Sequence, residues 1–255
     1  EFSENLDKAT QMAAVKAYDS LKERIKENQF IPIRPIVLGG DDLTVICRAD
    51  LALDYVTEFI KQFEEKTKFV VEYKDKLGFN HLTACAGIAY IKSSFPFYYG
   101  YALAEALCSK AKEDAKKDLE DGELAQSCLM FHKVQDSFTE DWDAIVKREL
   151  TPQEKISFEF GPYYVKEKRD ETKWLVSDLT EKAKLLECKE GNAVKSHLRN
   201  WISLLHDNPD MAVQKLERLK SMMPDTETGK KLLNMIKDVT NNDCVRDKNI
   251  VYPVY

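Results

Sequence analysis

The chain has 255 residues, 44% hydrophobic and 32% charged, with a formal net charge of -6 and a pI near 5.4. That is the balance of a globular protein, with enough chain for one large domain or two smaller ones. The acidic balance argues against a broad nucleic-acid surface, because such surfaces are basic, and no apolar run approaches the ~18 residues of a membrane span.

Residues from about Ser3 to Asn28 read as a long helix: Leu6, Ala9, Met12, Ala13, Lys16, Ala17, Leu21 and Ile25 keep a spacing of three and four, with charges opposite. Ser3 is the expected N-cap. A polar, charged opening of this kind is no signal peptide. The first residue is Glu1, and the last six, Ile250 to Tyr255, form an apolar run that stops abruptly. Both ends read as those of a piece of something longer.

Phe30-Ile31-Pro32-Ile33-Arg34-Pro35 ends the helix, since proline cannot continue it. The most informative feature comes next in the chain. Gly39-Gly40-Asp41-Asp42 lies between Pro35-Ile36-Val37-Leu38 and Leu43-Thr44-Val45-Ile46-Cys47. Two β-rich runs joined by a glycine pair predict a hairpin. Two consecutive carboxylates at its tip offer the hard oxygen ligands that magnesium takes together with substrate phosphates. Glycines there let a nucleotide approach the backbone closely. An ordinary turn also uses Gly and Asp, but gains little from two adjacent acids that repel.

A second helix is expected from Asp50, as N-cap, to about Glu65, with Leu51, Leu53, Val56, Phe59, Ile60 and Phe63 along one side. Thr67 to Asn80 reads as a short strand and a loop. Leu82 to Ile91 is small and apolar nearly throughout, which predicts a strand buried on both faces. Pro96 precedes a helix from Tyr99 to Lys117, and Ser94 is the simplest cap for it. Asp121-Gly122 marks a turn, and Ser127 to Val134 another strand. Helix, hairpin, helix, strand, helix, strand is an α+β layer compatible with the split βαβ of the ferredoxin-like fold. After a break at Gly161-Pro162-Tyr163-Tyr164, helices are expected over 176–187, 193–206, 210–222 and 228–241. The expected organisation is therefore a palm or cyclase-like domain over 1–160, and a mostly helical domain over 161–255.

Several residues invite sharper readings than their surroundings favour. Lys110, Lys112, Lys116 and Lys117 suit the dipole at a helix C-terminus as well as a phosphate. Lys92 reads as a strand-edge lysine. His206-Asp207 suggests a metal-dependent phosphohydrolase pair, but only His197 is near, and Asp207-Asn208-Pro209 reads as a helix end with a new cap after it. His132 reads as a packed strand residue, and Trp142, Trp174 and Trp201 as packing groups. The six cysteines are widely spaced, form no CxxC pair, and read as reduced thiols of a cytoplasmic protein.

The hairpin Pro35 to Cys47 resembles that of palm-type polymerases and cyclases, and more closely the second palm domain of the large subunit of type III CRISPR effector complexes. The next elements agree in order. Ala84-Cys85-Ala86-Gly87-Ile88-Ala89 resembles the strand after the intervening helix, and Ala104 to Lys112 is similar to the diguanylate-cyclase helix whose closing lysine contacts a nucleotide's phosphates. The resemblance covers roughly Ser3 to Val134. It implies an activity in which ATP is joined into cyclic oligoadenylate with Mg (or Mn) as the metal. It implies Asp41 and Asp42 as catalytic and metal-binding residues. Gly39, Gly40, Lys112, Lys110 and Ser94 become nucleotide-binding residues. It also implies a second palm domain, from a homodimer or a partner subunit, in an RNA-containing complex, with no membrane. Palm enzymes carry a further aspartate on a strand before the opening helix; that strand either lies upstream of Glu1 or is lacking in this protein. The alternative reading is accordingly a catalytically silent, palm-derived subunit that senses nucleotide or scaffolds a complex.

Overall fold

The structure, a computed structural model, describes residues 2–25, 31–68, 79–117, 119–120, 122–135, 140–151, 156–168, 173–240 and 250–251. By contacts the chain divides into two units, Glu1–Thr139 with Gly161–Val176, and Glu140–Phe160 with Ser177–Tyr255.

In the first unit, helix α1 (Phe2–Asp19) packs on helix α2 (Ala49–Thr67). The sequence explains the close approach: α1 buries a stripe of small residues, Ala9, Thr10, Ala13, Ala14 and Ala17, against the larger Leu51, Tyr55, Phe59, Ile60 and Phe63 of α2. Small facing large is how interdigitated layers fill space. The expected run to Asn28 is shorter here. After α1 comes a 3-10 turn at Lys22–Arg24, and residues 26–30 lie outside the described residues. Ser3 falls inside α1 rather than at its cap. Asp50 is likewise inside α2, whose N-cap is Arg48; the Asp50 carboxylate instead takes two hydrogen bonds from the Arg48 guanidinium, at 2.6 and 3.1 Å. The competing cation won the aspartate that a bare helix start would have used.

Between these helices lies the hairpin of β1 (Ile33–Gly39) and β2 (Asp42–Cys47), antiparallel, with a register shift between Pro35 and Val37 where proline has no N–H to give. Of the stretch from Thr67 to Asn80, residues 69–78 lie outside the described residues. Next, β3 (Cys85–Tyr90), helix α3 (Phe97–Lys116) and β4 (Cys128–Lys133) form a crossover unit, the two strands parallel and in register from Cys85 opposite Cys128 to Tyr90 opposite Lys133. The N-cap of α3 is Pro96, so Ser94 does not cap it. β3 is only half-buried, with Ile88 its buried residue, whereas β4 buries Cys128, Leu129, Met130 and His132. The smallness of β3 serves another purpose, the close approach of α3 over Gly87.

Two short strands extend this sheet. β6 (Tyr163–Tyr164) pairs antiparallel with β4, and β7 (Trp174–Leu175) parallel with β6, giving the order β3-β4-β6-β7. The break expected at Gly161-Pro162 is a positive-φ glycine and a cis proline, and the chain there returns to the first unit. Phe131 stacks on Tyr163 with centroids 5.3 Å apart, beside an edge-on Tyr90.

The second unit is mostly helical: α4 (Trp142–Glu149), α5 (Val176–Glu187), α6 (Lys189–Asp207), α7 (Pro209–Ser221) and α8 (Glu227–Thr240), with β5 (Ile156–Ser157) paired to β8 (Ile250–Val251). Leu186, Trp201, Leu205, Leu216, Leu232 and Ile236 are buried in it. Asn208 separates α6 from α7. Its side chain accepts from the Met211 N–H at 3.1 Å, with Pro209 as the first helical residue. That is the cap expected for Asp207-Asn208-Pro209. No helix is long and apolar enough to cross a membrane among the described residues.

Candidate functional site

The hairpin places four residues together by backbone alone. Gly39 and Asp42 are register partners, so Gly40 and Asp41 form a two-residue loop. Gly40 has a φ of +62°, the left-handed backbone that two-residue hairpin loops demand of their first residue. Asp41 and Asp42 are both exposed, side by side at the tip. A Cβ at position 40 would meet nothing within 4 Å, so the glycine serves conformation there rather than space.

Helix α1 holds this tip, through residues that sequence reasoning missed. The Gly40 N–H donates to Asp7 Oδ1 at 3.0 Å. The Thr10 hydroxyl lies 2.7 Å from the Gly40 carbonyl oxygen and 3.0 Å from that of Leu6. Gln11 Nε2 donates to the other Asp7 oxygen at 2.9 Å. Thr10 is fully buried within the alanine stripe. The available signal was a polar residue on the apolar face of α1, with an acid one turn before it.

Helix α3 supplies the other neighbours. The Tyr101 hydroxyl donates to Glu105 Oε1 at 2.5 Å, and this bond, with the negative charges of Glu105 and then Asp42 behind it, holds the phenol above its ordinary pKa. Burial pushes the Cys108 thiol up; Lys112 opposes this, and Cys85, Glu105 and Asp42 add to it. Asp42 and Lys112 are thus both electrostatic neighbours of Cys108. Lys112 is exposed, one turn beyond Cys108 on α3. Lys110 instead lies 3.4 Å from Glu113. Ser94 is exposed in the loop before α3, and no hydrogen bond among the described residues ties it to the hairpin. The structure therefore gathers Gly39, Gly40, Asp41 and Asp42, and sets Lys112 on the α3 face that senses Asp42.

Beneath this face three thiols meet. Cys85 and Cys128 have Sγ atoms 3.8 Å apart, and Cys108 donates to the Cys85 carbonyl at 3.3 Å. The Cys128 thiol, hydrogen-bonded to Cys85, holds Cys85 below the usual thiol range, helped by Lys112 and Lys116, while Cys128 itself is pushed up. Among the described residues no group of three or more His, Cys, Asp or Glu side chains is arranged to hold a metal ion. Asp41 and Asp42 are exposed carboxylates adjacent in the chain, of the hard-oxygen type that magnesium takes. In the second unit, α5, α6 and α8 line a cavity of about 230 Å³, walled by Leu186, Leu198, Trp201, Ile202 and Met235, with Lys195 and Arg199 also on its wall. None of the residues singled out from the sequence as site residues lines it.

Residues 1–119 match the family model of the Cas10/Cmr2 second palm domain. The matched span runs from α1 through the hairpin, α2 and β3 to the end of α3, so the palm resemblance drawn from the hairpin holds for that segment, and the fold is α+β with a helical part after it. No curated protein matches the chain.

Proposed function

We propose that the palm segment binds ATP with a divalent metal, and that the protein is a nucleotidyltransferase or cyclase of the kind that makes cyclic oligoadenylate within a type III CRISPR effector complex. One observation carries the reading: two exposed carboxylates, Asp41 and Asp42, side by side on a glycine hairpin inside a segment matched to a Cas10/Cmr2 palm domain. In this reading Asp41 and Asp42 hold Mg or Mn. A metal held there by Asp41 and Asp42 would supply a Lewis acid for the α-phosphate of the nucleotide. Gly39 and Gly40 admit the nucleotide close to the backbone, and Lys112 meets its terminal phosphates as a point charge. Lys110 and Ser94 have weaker claims, Lys110 because Glu113 already faces it. A second palm domain, from another copy or a partner subunit, completes the nucleotide site.

A second reading is a catalytically silent palm that senses nucleotide or scaffolds the complex. It draws on the absence, among the described residues, of a three-carboxylate metal cluster. Incubation with labelled ATP and Mg²⁺ or Mn²⁺, alone and in its purified complex, separates the two. The first reading expects pyrophosphate release and an oligoadenylate product, abolished by Asp41→Asn with Asp42→Asn. ATP binding without turnover supports the nucleotide-sensing form of the second, and absence of both binding and product contradicts the first and leaves the second only as a scaffold.

A further inference from the structure

Asp7 and Thr10 grip one peptide-bearing residue from both sides. Asp7 Oδ1 accepts the Gly40 N–H at 3.0 Å, and the Thr10 hydroxyl sits 2.7 Å from the Gly40 oxygen. These two groups belong to different peptide planes, the one before Gly40 and the one joining it to Asp41. Glycine is the residue whose backbone rotates most freely. Fixing both planes removes that freedom at the one loop position where it is greatest, and the second plane carries the Asp41 nitrogen. The direction in which Asp41 leaves the hairpin, and the start of β2 at Asp42, are therefore set from α1.

The grip is itself rigid. Thr10 is fully buried among Ala9, Ala13 and Ala14, on a helix packed along α2. Asp7 is turned by Gln11, which donates to its second oxygen at 2.9 Å. Both Asp7 oxygens thus already carry a donor, which suits an orienting group better than a ligand. A carboxylate acceptor also makes the stronger, charge-assisted bond to an amide.

We propose that Asp7 and Thr10 are positioning residues that fix the Gly40 peptide, and through it the pair Asp41 and Asp42, for metal and nucleotide binding. The functional half of this statement rests on the palm reading; the clamp does not. Two measurements keep them apart: hydrogen exchange at the Gly40 amide, and Mn²⁺ binding followed by electron paramagnetic resonance, both well below the melting temperature. In Asp7→Ala and Thr10→Val, Gly40 exchange rises about tenfold, the loss of roughly one hydrogen bond, and Mn²⁺ affinity falls about three- to tenfold. Asp7→Asn, which keeps an acceptor oxygen, and Thr10→Ser, which keeps the hydroxyl, restore both to within about threefold. Unchanged Gly40 exchange in Asp7→Ala overturns the clamp. Loss of Mn²⁺ affinity in Asp7→Asn with exchange preserved overturns the positioning role, because Asp7 would then act by its charge. A wild-type protein that binds no Mn²⁺, yet shows the exchange pattern, retains the clamp and removes the palm reading instead.

Discussion

The backbone of Gly87 on β3 lies against that of Ala104 on α3, so close that a Cβ at position 87 would stand 2.0 Å from the Ala104 carbonyl oxygen and 2.6 Å from the Cys108 nitrogen. Both obstacles are main-chain atoms of a helix, which cannot swing aside. This contact fixes the depth at which α3 sits on the sheet, and so the height of Tyr101, Glu105 and Lys112 beside the hairpin. Gly87→Ala is expected to lower stability by about 1–3 kcal/mol or more through overpacking, measured by urea unfolding. Gly100→Ala is the control. Its Cβ would meet only the flexible end of Ile91, at 2.8 Å, so it costs less. Equal stability of Gly87→Ala and wild type would contradict the packing described.

The returning segment Gly161–Val176 is fastened to α3 by Asp114, which takes the Tyr164 hydroxyl at 2.8 Å and the Lys173 ammonium at 2.5 Å. Side chains of Asp114 and Lys173 are 19% and 18% exposed, so the pair is neither a free surface bridge nor fully dry. Asp114→Ala is expected to cost about 1–3 kcal/mol, because it removes the carboxylate that the Tyr164 hydroxyl and the Lys173 ammonium share. A double-mutant cycle with Lys173→Met reads the pair directly. A coupling of about 0.5 kcal/mol or more is expected, and none would show the pair to be incidental.

Burial pushes three acid groups of the first unit upward, Cys47 to about 11 and Tyr55 and Tyr90 to about 12. Their unfolded values are 9.0 for the thiol and 10.0 for the phenols. The folded chain holds these protons more tightly, so their contribution is complete below the unfolded values. It is lost as pH rises through 9.0 to about 11 for Cys47, and through 10.0 to about 12 for the tyrosines. Urea midpoints measured from pH 8 to 12 should fall through this window, and Tyr90→Phe should flatten the upper part of the fall. A Tyr90→Phe profile parallel to wild type would count against the burial of that hydroxyl.

Thiol reactivity obeys the same map. Cys85, held below the usual thiol range by its hydrogen bond with Cys128, should alkylate fastest of Cys47, Cys85 and Cys128 at neutral pH, and Cys128, fully buried and pushed up, slowest. Timed iodoacetamide labelling with peptide mapping reads the order. In Cys128→Ala the Cys85 advantage should shrink, and labelling led by Cys47 in the wild type would reverse the assignment.

How much of this stood in the sequence depends on the range of the forces concerned. The hairpin was legible because its signals are local: a glycine pair, runs of β-branched residues, adjacent acids. Helix 176–187 was placed to the residue, and Asn208-Pro209 named its own cap, for the same reason. Caps at Asp50 and Ser94 failed where a residue two places away decided the matter, Arg48 claiming Asp50 and Pro96 occupying the cap position of α3, while Ser3 falls inside α1. Continuous apolar character in β3 suggested two buried faces, but its small residues answer to the helix that Gly87 must admit. Asp7 and Thr10 were missed because their partner lies some thirty residues away in the chain, and a polar residue on the apolar face of α1 does not itself say what it holds.

The measurement that bears most directly on the palm reading is calorimetric titration of ATP into the protein, with and without Mg²⁺. Wild type is expected to bind ATP in a metal-dependent manner. Asp41→Asn with Asp42→Asn should weaken that binding by about tenfold or more while leaving the fold intact, and Lys112→Ala should weaken ATP more than adenosine. ATP binding that ignores Mg²⁺ and is unchanged in the hairpin variant would contradict the account.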